Sequence, residues 1–241
     1  MLFRQLFDHE SSTYTYLLAD EHTHEAALID PVLEQAERDL EIVSQLGLTL
    51  AYVLDTHVHA DHVTAAGRLR EKTGARSVAG RAGADCADVH VDAGDVIRFG
   101  GVALRVLATP GHTDDSVSYL LVHPDGTGQP RDRVFTGDAL LIRAAGRTDF
   151  QNGDAARLYE SITGALFTLP DPTLVYPAHD YLGRTVTTIG EEKRWNVRIA
   201  GRSRAEFVAV MNALHLPEPK RLHEAVSANR ACGRSPTVVQ G

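Results

Sequence analysis

Cysteine is scarce in this chain, two residues in 241, and Cys86 and Cys232 show no CxxC spacing. That excludes a disulfide framework of the small secreted kind and a cysteine-based zinc or redox motif. Cys232 reads as a small apolar residue in preference to a reactive thiol, and a single bridge between the two cysteines stays open. Long apolar runs are missing as well: no stretch approaches the length of a membrane-spanning helix, so nothing asks for a membrane. The opening residues Met1, Leu2, Phe3, Arg4 and Gln5 have neither the apolar core of a secretory signal nor the Arg- and Ser-rich make-up of a transit peptide. The expectation is a cytoplasmic protein. Positive charge is in deficit, 24 Lys and Arg against 32 Asp and Glu for a formal net charge of -8. Nucleic acid is thereby a poor partner, because a phosphate backbone is gripped by clustered Lys and Arg.

What remains is an ordinary α/β pattern without repeats or low-complexity linkers. The length and the 43% hydrophobic content suit one large domain over residues 1–241, with residues 182–241 as a helical extension packed on it. Residues 14–19 and 26–30 read as a hairpin around a polar turn, which makes His22 and His24 solvated turn residues. Residues 34–46 have helical spacing of Ala36, Leu40, Val43 and Leu46, with Gly47 as a C-terminal stop. Residues 50–54 are a buried strand, and 63–72 a helix ending at Gly74. Further strands are expected at 102–108, 117–122, 134–136 and 173–176, and a helix at 206–214 broken by Pro217 and Pro219.

The chemistry sits just past the strands. After residues 50–54 comes Thr56-His57-Val58-His59-Ala60-Asp61-His62, four metal-competent side chains within six residues. Alternate residues leaving a strand point the same way, so His57, His59 and Asp61 can converge on one ion. A solvated His-rich loop would explain one histidine but not this string. His112 follows the Pro110-Gly111 turn, Asp138 follows residues 134–136, and His179 follows residues 173–176. Each of these alone could be a turn residue, a cap or a core histidine; together they form one constellation built from strand tips.

These residues resemble the metallo-β-lactamase superfamily, an αββα sandwich of two sheets with helices outside. The segments Gly137-Asp138-Ala139-Leu140-Leu141-Ile142-Arg143, Gly146-Arg147-Thr148-Asp149-Phe150-Gln151 and Tyr176-Pro177-Ala178-His179-Asp180-Tyr181, with the opening Leu2 to Phe7 and the closing Arg230-Ala231-Cys232-Gly233, are similar to its persulfide dioxygenase branch. The His/Asp string alone is shared with hydrolases such as glyoxalase II; the Gly146 to Gln151 segment discriminates. The resemblance implies one Fe(2+) per subunit on His57, His112 and Asp138, with His59, Asp61, His62 and His179 close by without a filled second site. It implies oxidation of glutathione persulfide by O2 and water to sulfite and glutathione, and a possible homodimer. Two histidines and one carboxylate form the facial triad of non-haem Fe(II) oxygenases, whereas zinc has no redox change to offer oxygen.

Asp61 and Asp180 are the expected acceptors for the far nitrogens of ligand histidines. Tyr181 is a candidate for a hydrogen bond near substrate. Arg147 and Arg143 are candidates for glutathione carboxylates, with a loop-ordering pair between Arg147 and Asp149 as the equal alternative. Many relatives carry a cysteine where this chain has Ala145, so a thiol role in that loop is absent. Two other readings stay open: a dinuclear thioester hydrolase of glyoxalase II type, and a metal-stabilised binding protein without turnover.

Overall fold

In the computed structural model, which describes residues 1–122, 132–219 and 221–233, six strands form a first mixed sheet. They are β1 (Leu2–Asp8), β2 (Thr13–Ala19), β3 (Glu25–Ile29), β4 (Thr49–Leu54), β5 (Arg76–Gly80) and β6 (Val89–Val91), hydrogen-bonded in that order. Six more, β7 (Val96–Phe99), β8 (Val102–Ala108), β9 (Val117–Val122), β10 (Arg133–Gly137), β11 (Leu174–Pro177) and β12 (Thr187–Thr188), form a second sheet, again in sequential order. The chain divides into two units, Met1–His90 with Pro217–Gly241 and Val91–Leu216. Residues 182–216 therefore belong to the second unit and the chain from Pro217 to the first.

In the first unit the β2–β3 hairpin forms as expected and leaves His22 and His24 exposed in its turn. The helix expected over 34–46 is a short 3-10 turn, Leu33–Gln35, followed by α1 (Ala36–Gln45). Its apolar side packs with Leu17, Leu28, Val53 and Leu69. Strand β4 runs parallel between β3 and β5, with Leu54 opposite Ile29 and Val78. A strand paired on both sides has a fixed end, and the histidine string leaves from that end. The next helix, α2 (Ala66–Thr73), starts three residues later than its apolar pattern suggests, because the preceding residues are occupied by the loop that carries the string. Gly74 closes it at φ +76°, the left-handed position that glycine takes without strain.

One buried charge in this unit carries a pH prediction. Asp39 on α1 is 1% exposed. Burial pushes its carboxyl up to about 6, against the partly offsetting contact with Arg38. A folded value above the unfolded one near 3.9 means that this group's stabilisation is complete below about pH 4 and lost as pH rises through about 6. In chemical denaturation, Asp39→Asn is expected to gain stability relative to the native chain between about pH 4 and pH 7; a difference flat across that range would refute the assignment.

The second unit places its functional residues by the same device. β10 and β11 run parallel, Val134 opposite Val175 and Phe135 opposite Tyr176, and the Ala178 amide donates to the Gly137 carbonyl at 2.9 Å. The residues after the two strands, Asp138 and His179, are thereby side by side. Beneath them Leu140, Ala145, Leu158, Ile162, Val175 and Phe207 form the unit's apolar cluster, which draws on α3 (Ala155–Ser161) and α5 (Arg204–Asn212). Ala145 is part of this packing. Helix α4 (Ile189–Trp195) completes the unit, and α6 (Leu222–Arg230) belongs to the first.

The bridge that the sequence left open is present: Cys86 and Cys232 are joined as a disulfide across 146 residues, Cα to Cα 6.0 Å. Cys232 is a cross-link as well as a buried apolar contact beside Ala79 and Ala84.

Candidate metal centre

The first unit holds four of the expected residues. His57, His59 and His62 are buried at 3%, 0% and 1% exposure, and their rings follow one another tilted, with centroids 4.1 Å and 4.3 Å apart. Asp61 is part of the same loop and contacts His62 Nδ1 at 2.8 Å. The residue that organises them is Asp30, at the end of β3 with φ +50°, a conformation rare for a non-glycine residue. Its Oδ1 accepts from the Thr56 amide at 2.7 Å and lies 3.1 Å from His59 Nε2, while its Oδ2 accepts from Thr56 Oγ1 at 2.9 Å.

These contacts fix the proton positions. The Thr56 hydroxyl gives its hydrogen to Asp30, so the 2.9 Å contact to His57 Nδ1 is one in which the imidazole donates and Oγ1 accepts. The lone pair of neutral His57 is then on Nε2. His59 donates from Nε2 to Asp30. Burial alone would push the His59 imidazole down, but the charges of Asp30, Asp61 and Asp55 overcome it and hold the group up at about 9.

The second unit holds the other three. His112 Nδ1 donates to the Arg147 carbonyl at 2.6 Å, so its lone pair is on Nε2, 3.7 Å from Asp138 Oδ2. Asp138 Oδ1 accepts from His179 Nδ1 at 2.7 Å. Both histidines are buried. Gly146 makes this arrangement possible: a Cβ there would lie 2.3 Å from the Asp138 carbonyl oxygen and 2.9 Å from His112 Cγ. The segment that carried the family resemblance therefore has a mechanical role, since its glycine admits His112 and its next carbonyl orients the ring.

Other expected site residues sit as follows. Asp180 does not orient a histidine; its carboxylate accepts from the Leu182 and Arg184 amides and pairs with the Arg184 guanidinium. The acceptor role expected of it is taken by Asp30, whose place at a strand end was visible in the sequence although its target was not. Tyr181 is 69% exposed, its ring parallel to that of His179 at 6.1 Å. Arg147 makes a two-pronged pair with Asp149, both contacts 2.7 Å, and lies over the Phe150 ring. Arg143 is bound to Glu191, Glu192 and Thr187 and lies over Trp195. Sequence reading missed Asp30, Thr56 and Asn229.

Comparison with known proteins agrees with this chemistry. Residues 10–85 match the model of the metallo-β-lactamase superfamily. Persulfide dioxygenase ETHE1, mitochondrial, from Bos taurus is 50% identical over 234 residues, 97% of this chain and 89% of the relative. The crystal structure of ETHE1 from Myxococcus xanthus matches with a TM-score of 0.92 and 64% identity, over 97% of this chain and 100% of that one. TTHA1623, solved in a di-iron-bound form, matches with a TM-score of 0.63 and 26% identity over 80% of this chain and 98% of its own. The αββα fold class expected from the sequence is the fold of these relatives.

Proposed function

The chain belongs to the persulfide dioxygenase family of the metallo-β-lactamase superfamily, and on that premise we propose that it oxidises glutathione persulfide with O2 and water to sulfite and glutathione, using Fe(II). The observation that carries the proposal is the 50% identity to a persulfide dioxygenase along nearly the whole of both chains. In the reaction, persulfide, O2 and water give sulfite, glutathione and two protons, and the sulfur–sulfur bond is the one that breaks.

The donor set suits iron. His57 and His112 each present a neutral Nε2 because their Nδ1 protons are committed to Thr56 and to the Arg147 carbonyl. Asp138 adds one carboxylate, and we assign the metal to these three residues. Bound Fe(II) supplies the one-electron steps that dioxygen requires and that zinc lacks. Asp30 and Thr56 hold His57 in its metal-binding tautomer, and Gly146 with the Arg147 carbonyl does the same for His112. In this reading His59, Asp61, His62 and His179 hold no second ion. In this assignment Tyr181 stands at the substrate side of His179. Arg143 and Arg147 are kept for the glutathione carboxylates, with loop ordering through Glu191, Glu192 and Asp149 as their first role.

The test is oxygen uptake on adding glutathione persulfide to protein loaded anaerobically with Fe(II), beside a zinc-loaded sample. Uptake matched by sulfite in the iron sample alone is expected. No uptake in either, with hydrolysis of a glutathione thioester by the zinc form, would move the protein to the hydrolase class.

A homodimer in the cytoplasm completes the proposal. Sedimentation checks the first part. For the second, the pair that is bridged in this structure must open, because thiols in a reducing compartment keep a cysteine pair reduced, so alkylation trapping in cells should find Cys86 and Cys232 as free thiols. A bridged pair would argue for an oxidising compartment.

A further inference from the structure

We infer that Asn229, on the C-terminal helix α6, is a positioning residue for the metal-binding loop. The inference rests on the proposed metal site and goes beyond it to a part of the chain that carries none of the expected ligands. The Asn229 carboxamide is 3% exposed and spends its polar groups on one short stretch of main chain. Nδ2 donates to the His59 carbonyl at 2.9 Å and to the His62 carbonyl at 2.8 Å, and Oδ1 accepts from the Thr64 amide at 2.8 Å. The partners are 165 to 170 residues away in sequence.

The loop needs such a clamp. Residues 55–65 have no helix or continuous strand to bond their own amides and carbonyls, and buried main-chain polar groups must find partners. Two carbonyls three residues apart require two N–H donors on one planar group, and an acceptor alongside serves Thr64. A carboxamide has that pattern; a carboxylate of the same shape has no donor and would set negative oxygens against two carbonyls.

The clamp is itself well seated. Ala225 and Ala228 on α6 pack against Val63 and Leu33. The Cys232 carbonyl accepts from the Gly67 amide at 2.9 Å, and Cys232 is bridged to Cys86. Gly233, at φ +75°, comes so close to the loop that a Cβ would lie 2.1 Å from the Thr64 carbonyl oxygen. Asn229 therefore fixes the carbonyls of His59 and His62 against a rigid support, and with them the course of the loop that carries the assigned ligand His57 two residues before His59.

The test uses Co(II) as a probe ion in the full chain, read by its visible spectrum and by competition with a chelator. Asn229→Asp is expected to fold, to bind Co(II) about 10- to 100-fold more weakly, and to give a changed ligand-field spectrum. Arg221→Ala, at the N-terminal end of α6, removes ion pairs to Glu34 in the 3-10 turn and to Glu224 on α6 and no hydrogen bond to the loop. It is expected to lower stability and leave affinity and spectrum native. Should Asn229→Asp fail to fold, Asn229→Gln keeps both donors on a longer arm and is expected to shift the spectrum. Native affinity and spectrum in the folded Asn229 variant, or an equal effect of Arg221→Ala, would overturn the inference. A native chain that binds Co(II) but oxidises no persulfide would overturn the functional proposal alone.

Discussion

In the Asp138→Ala variant, persulfide oxidation falls below about 1% of the native rate, and bound metal falls with it. The bound follows from the weaker case: loss of an outer-shell partner of a metal ligand commonly costs about 10- to 100-fold in affinity or activity, and loss of a ligand itself costs more. Asp138 would be lost in two capacities, as the only carboxylate in the assigned set and as the acceptor of His179 Nδ1 at 2.7 Å. A buried imidazole N–H left without its acceptor adds about 1–3 kcal/mol of local destabilisation. The fold should survive, because the turn is held by main chain: the Ala139 amide donates to the Thr136 carbonyl and the Gly146 amide to the Asp138 carbonyl. Metal content by mass spectrometry, read beside oxygen uptake and circular dichroism, separates the outcomes. A folded, metal-depleted, inactive variant supports the assignment. A non-catalytic scaffold would keep its partner binding in the same variant, and unchanged persulfide oxidation would remove Asp138 from the ligand set.

The features legible in the sequence were those written locally. A ligand just after a short apolar run needs only the run and the ligand to be seen, and β4, β8, β10 and β11 each end a few residues before His57, His112, Asp138 or His179. The 3.6-residue spacing of Leu40 and Val43 was enough for α1. β1, β5, β6, β7 and β12 were missed for a physical reason: they are short or mixed in polarity, and pairing within their sheets, not an intrinsic pattern, makes them strands. The start of α2 was misplaced because Val63, Ala65 and Ala66 continue its apolar pattern although the loop's own hydrogen bonds hold the first two outside the helix. Asp30 was visible as a residue but not as a partner, since its contacts to Thr56 and His59 depend on the parallel pairing of β3 with β4. Asn229 was out of reach altogether: no local rule connects an asparagine in an amphipathic helix to carbonyls 170 residues earlier. The Gly146 to Gln151 segment lay between these cases. Its resemblance pointed to the family, and only the 2.3 Å approach that a Cβ would make explains why glycine stands there.

Opening the Cys86–Cys232 bridge is expected to lower the stability of the chain by several kcal/mol. A cross-link acts chiefly on the unfolded chain, whose ends it keeps together, and the effect grows with the length of the closed loop. For residues 146 apart, the loop-closure relation gives about 5 kcal/mol at 25 °C, while measured bridges more often contribute about 2–4 kcal/mol. Cys86→Ser is the milder probe, because Cys86 is half-buried whereas Cys232 is 3% exposed and packed against Ala79 and Ala84. Urea titrations of native protein, of protein treated with a dithiol and of Cys86→Ser should give the same lowered midpoint for the last two. Agreement between them identifies the cross-link, and not a side-chain contact, as the source. The consequence for the metal follows from where the bridge ends. Cys232 lies three residues after Asn229, so a loosened C-terminal segment weakens the hold on the His59 and His62 carbonyls. Co(II) affinity in Cys86→Ser should then fall in the same direction as in Asn229→Asp, and by less, because the carboxamide is still present. An unchanged urea midpoint would mean that helix α6 and its apolar contacts anchor the segment unaided. The metal loop would then be insensitive to the thiol state of the chain.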